Sequence, residues 1–136
     1  MNLNKLYQRI NNLKISLYDT TEDSVKAASI EYDNHYAIFL NYKKLNTTDD
    51  LFIHAAHEWG HCKTGALHKL DSPFDLIAKH ERYADQAAVE EFLPPEKIRE
   101  AMAHGCEYSY EISEYLDIPE EFVIKAIKIY RLTERI

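Results

Sequence analysis

The pentapeptide His57-Glu58-Trp59-Gly60-His61 constrains this chain more than any other feature, because two histidines four residues apart serve one ion only if the segment is helical. In an α-helix, residues four apart lie ~40° from each other around the axis and one turn apart along it. Zinc suits that spacing. With nitrogen ligands at about 2.0–2.1 Å and a tetrahedral preference, a two-histidine site needs one more protein ligand and leaves a fourth position for water. Glu58 is too close to His57 in sequence to complete the same tetrahedron, yet it lies beside the ion, where a general base for bound water stands. With 7 histidines and 14 glutamates in 136 residues, the expected number of chance matches is roughly 0.04.

The surrounding residues support a helix. Leu51, Phe52, Ala55, Ala56 and Trp59 provide apolar positions, Thr47 or Thr48 followed by Asp50 or Leu51 provides a cap, and Gly65 an end. His54 precedes His57 by three residues, but its seven-residue separation from His61 makes it a neighbour of the site, not a ligand. A second helix is announced by Ser72-Pro73-Phe74-Asp75, with Ser as N-cap, Pro at the first position and an acid at the third, and runs to about Phe92. On it Glu81, Ala84, Asp85, Ala88 and Phe92 form one stripe, with two carboxylates among residues small enough for close helix packing. By itself this could be a solvated face paired with Arg82 and Lys79. Some twenty residues after an H-E-x-x-H, Glu81 reads instead as the metal's oxygen ligand, and Asp85 as the carboxylate that takes the far N–H of a ligand histidine and fixes its tautomer.

His57-Glu58-Trp59-Gly60-His61, Glu81-Arg82-Tyr83-Ala84-Asp85-Gln86-Ala87-Ala88 and Phe92-Leu93-Pro94 together resemble the ImmA/IrrE family of zinc metallopeptidases, with its H-E-x-G-H, E-x-x-A-[DN]-x-x-A and Leu-Pro patterns. The likeness covers residues 36–94, more loosely the tail, and is similar also to the wider gluzincin group. Gln86-Ala87 departs from the larger apolar residues commoner there, and Glu90-Glu91 is unusually acidic, but neither touches a proposed ligand. The resemblance implies a cytoplasmic protease, often encoded on phage or another mobile element, that cleaves a helix-turn-helix repressor. It also implies an α+β, mostly helical, zincin-like metalloprotease domain.

Composition agrees with a globular protein. The chain is 46% hydrophobic with ten tyrosines, and its length suits one domain over residues 1–136: a sheet and active-site helices in 1–94, a helical tail in 95–136. A net charge of −7 argues against a nucleic-acid surface. No run approaches the ~20 apolar residues of a membrane span and the N-terminus lacks a signal pattern, so a cytoplasmic location is expected. Cys62 and Cys106 are expected as free thiols, Cys62 being open to oxidation if exposed.

Leu3, Leu6, Tyr7 and Ile10 predict a short amphipathic helix, and residues 14–18 a strand. Residues 25–32 and 35–41 flank Asp33-Asn34 as a hairpin, giving about three strands in all. The second arm, residues 36–40, leads into the metal helix. It fits either an edge strand over the ion, able to pair with an extended peptide, or an ordinary inner strand.

In the tail, a helix is expected from Pro95 to about Ala103, another from Tyr110 to Leu116 capped by Ser109, and a last one opened by Pro119 with Phe122, Ile124, Ala126, Ile127 and Tyr130. Its acids, Glu107, Glu111, Glu114, Asp117, Glu120 and Glu121, have the wrong sign for phosphate and suit a protein partner. His104, Tyr108, Tyr110 and Tyr115 are open candidates for a transition-state hydrogen-bond donor. The expected activity is zinc-dependent peptide hydrolysis with His57, His61 and Glu81 as ligands and Glu58 as catalytic base. The alternative is a non-catalytic, antitoxin-like regulator that keeps the zinc fold as a scaffold.

Overall fold

The computed structural model describes residues 3–67 and 74–136. Its element order is α1 (Leu3–Asn12), β1 (Ser16–Asp19), β2 (Ala27–Tyr32), β3 (His35–Leu40), α2 (Thr48–Thr64), α3 (Phe74–Phe92), α4 (Pro95–Ala103), α5 (Ser109–Leu116) and α6 (Glu120–Leu132), an α+β arrangement with a small sheet followed by helices. The expected Ser72-Pro73 cap of α3 lies outside the described residues.

Asp33 and Asn34 both take left-handed backbone, φ 52° and 62°, which is the pairing a two-residue hairpin needs and which Asp and Asn tolerate best after glycine. β2 and β3 pair antiparallel on either side of it. β1 then adds parallel to the other side of β3, so the order is β1-β3-β2. This decides the open question about residues 36–40: β3 is the inner strand, and β2 forms the sheet edge nearer the metal helix. Alternation sends Ile38 and Leu40 into the core, while Tyr18 and Phe39 stack on the outer face, ring centroids 5.3 Å apart.

The sheet's inner face, α1 and the later helices enclose one hydrophobic cluster around α2. Phe52 of α2 meets Phe92 of α3 and Phe122 of α6 edge-on at 5.7 and 5.1 Å, tying the tail to the site helices. Tyr130 of α6 is fully buried and donates its hydroxyl to the Leu93 carbonyl at 2.8 Å.

Two expectations for the tail need correction. Ser109 does not cap α5; Tyr108 is the N-cap residue, and the Glu111 carboxylate accepts from the Glu107 and Tyr108 N–H groups while Ser109 donates to Glu120. On α6, Val123 joins Phe122, Ala126 and Tyr130 in the core, whereas Ile124 is exposed and Ile127 only half-buried. Val123 and Ile124 differ by one 100° step, and contact with α3 and α5 selects the former.

Candidate metal centre

α2 is capped at its start by Thr47, whose side chain accepts from the Asp50 N–H at 3.1 Å, and after its last residue by Gly65 in left-handed backbone, φ 68°. These ends place His57 and His61 one turn apart on the same side. α3 crosses α2 in backbone contact at Gly60: a Cβ built there would lie 2.1 Å from the Ala84 carbonyl oxygen. Only glycine permits that approach, and Ala84 and Ala88 line the other side. The close crossing brings Glu81, one turn before Ala84, onto the two histidines.

The result is a compact donor set. His57 Nε2 lies 3.2 Å from His61 Nε2 and 2.7 Å from Glu81 Oε2, while His61 Nε2 lies 3.0 Å from Glu81 Oε1. One donor atom from each residue falls within 4.8 Å of the others, so His57, His61 and Glu81 can hold a metal ion. His54 is not in the group.

The outer nitrogens fix the tautomers. His61 Nδ1 is 2.7 Å from the Ala66 carbonyl, which can only accept, so Nδ1 carries the proton. His57 Nδ1 is likewise 2.7 Å from Asp85 Oδ1. Burial works to raise the Asp85 pKa, but the hydrogen bond from His57 and the charge of Lys125 outweigh it and hold the group below its ordinary value, ionised and able only to accept. In its neutral form each imidazole therefore turns an unprotonated Nε2 toward the same point. Two such nitrogens bound tetrahedrally at zinc's usual bond length lie ~3.3 Å apart, which matches the observed 3.2 Å. With both rings neutral, three side chains present acceptors at that point and no donor, an arrangement that suits a cation. In its absence a proton can substitute: burial lowers the His57 pKa, yet Asp85, Glu58 and Glu81 together outweigh it and raise the net value.

Glu58 stands beside the donor set, its Oε1 accepting from Ser29 Oγ of β2 at 2.8 Å. The cleft is lined by Ala27, Ala28 and Ser29 of the sheet edge with His57, Glu58, His61 and Glu81. Lys125 of α6 donates to Asp85 Oδ1 at 3.1 Å, so the tail helix supports the site from behind. Burial and the charge of Lys26 lower the His54 pKa.

The structure places His57, Glu58, His61, Glu81 and Asp85 together, and adds three supports that the sequence did not disclose. Ser29 follows from strand alternation once the register is known. The Ala66 carbonyl follows from the turn at Gly65, while Lys125 has no local signal. The four tail candidates for a hydrogen-bond donor do not line the cleft. His104 and Tyr115 pack on each other at 5.1 Å, Tyr108 and Tyr110 stack at 5.8 Å, and Tyr108 faces a separate groove with Met102 and Ile112. Cys62 is buried, which corrects the possibility of an exposed thiol there; burial, with the Glu58 charge, pushes its pKa up to about 12. Among the described residues, no helix is long and apolar enough to cross a membrane. No family model, curated protein or solved structure matches this chain.

Proposed function

We propose that this chain is a zinc-dependent endopeptidase of the ImmA/IrrE type, with a helix-turn-helix repressor as its protein substrate. The observation that carries the reading is the convergence of two tautomer-fixed histidines and Glu81 on one point, with Glu58 beside it on an open cleft. A purely structural zinc site would close with a fourth protein ligand and would have no use for an adjacent carboxylate.

His57, His61 and Glu81 would hold the ion, which when bound supplies a Lewis acid that brings the pKa of water toward ~7 and polarises a carbonyl. Glu58 takes the proton of the attacking water and hands it to the leaving amine as the C–N bond breaks. Ser29 holds Glu58 Oε1, leaving the second oxygen for that transfer. Asp85 and the Ala66 carbonyl keep the imidazoles oriented. The β2 edge can receive an extended peptide through backbone hydrogen bonds, which select conformation and not sequence, so specificity falls to docking of a folded partner. The acids of residues 107–121 offer a field that steers a basic DNA-binding protein.

The test is to mix the purified chain with zinc and a helix-turn-helix repressor encoded beside it. Discrete fragments are expected, abolished by chelator and by Glu58→Gln with zinc retained, and slowed by salt. Tight binding without fragments, while zinc is demonstrably bound, supports the non-catalytic regulator instead.

A further inference from the structure

The outward face of α6 is built like an interface. Glu121, Ile124, Lys128, Arg131 and Leu132 are all exposed, and at 100° per residue they fall within an arc of roughly 100°. Ile124 is 51% and Leu132 77% exposed, values high for large aliphatic side chains. Ile124, Lys128 and Leu132, spaced by four, form a ridge with a groove on each side. Met102, Tyr108 and Ile112 line one groove, and Arg82, Asp85 and Ile129 the other. An i, i+4, i+8 ridge between grooves is the element that packs against its own kind in helix–helix contacts.

Charge selects the direction. Along this face the acid comes first, at Glu121, and the bases last, at Lys128 and Arg131; none of the three makes an ion pair within the described residues. A copy of the helix laid antiparallel would set Glu121 opposite the partner's Arg131 twice over, whereas a parallel copy would set like charges together. We propose that α6 pairs antiparallel with α6 of a second copy of this chain, giving a two-fold symmetric dimer. The pairing covers the groove that contains Asp85 and Lys125 and so shields the back of the metal centre from water. It does not depend on the proposed activity.

Sedimentation velocity over micromolar to sub-millimolar protein should show a monomer converting to a dimer, with or without chelator. Ile124→Glu and Leu132→Glu, at exposed positions that leave the circular dichroism spectrum intact, should each give monomer. Arg131→Glu should weaken the dimer roughly 10-fold or more, and adding Glu121→Arg should restore it. A monomer at every concentration overturns the proposal. So does a dimer indifferent to Ile124→Glu, or a charge swap that fails to restore association.

Discussion

Gly60→Ala tests whether the two site helices are in backbone contact. The added methyl would lie 2.1 Å from the Ala84 carbonyl oxygen, 2.8 Å from its carbonyl carbon and 3.0 Å from its Cα. Because ordinary contact is about 3.5 Å, the helices must separate by roughly 1 Å or more at the crossing. The obstacle is helix backbone, not a side chain that can swing aside, so the upper end of the usual overpacking cost applies, about 3 kcal/mol. Opposing it, Gly to Ala within a helix gains about 1 kcal/mol of propensity. The net expectation is a loss of about 2 kcal/mol, seen as a fall in Tm of roughly 6–10 °C by circular dichroism with chelator present, so that zinc linkage does not enter. The displacement also moves Glu81 away from the histidines, so zinc affinity, measured against a chromophoric chelator, should fall with stability. If the metal-free variant melts at or above wild type, the propensity gain has met no opposing clash and the account of the crossing is wrong.

Asp85→Ala should weaken zinc binding about 10–100-fold with the fold retained, and wild-type affinity would leave Asp85 only its salt bridge to Lys125. Tyr130→Phe removes the donor to the buried Leu93 carbonyl and should cost about 1–3 kcal/mol in a urea unfolding titration; an unchanged midpoint would mean that carbonyl finds another partner. At pH 8 iodoacetamide should label Cys106 first and reach Cys62 only on unfolding, because the thiolate reacts and a thiol with a pKa of about 12 stays protonated through that range; native labelling of both at one rate would contradict the burial.

Features that depend on neighbours in sequence were legible in it. The i, i+4 histidines, the stripe that joins Glu81 to Asp85 and the Asp33-Asn34 turn each follow from helical or strand periodicity, and the observed elements carry them where expected. Features that depend on distant pairing were not. That β3 is inner follows from β1 adding beside it in parallel, a contact between segments some twenty residues apart that local pattern does not encode. Lys125 reaches Asp85 only because the Phe52, Phe92 and Phe122 contacts fix α6 against α2 and α3. The Ala66 carbonyl is a backbone group, invisible to any search by residue type. His104, Tyr108, Tyr110 and Tyr115 looked eligible because a list of polar aromatics contains no directions; the packing of α4 to α6 gives them other partners.

Whether His57, His61 and Glu81 form one metal centre is decided by elemental analysis of the purified chain supplied with zinc. About one zinc per chain is expected, unchanged in Glu58→Gln and lost in His57→Ala, His61→Ala and Glu81→Ala. A chain that takes up no metal, or one whose zinc survives Glu81→Ala and disappears with His54→Ala, would contradict it.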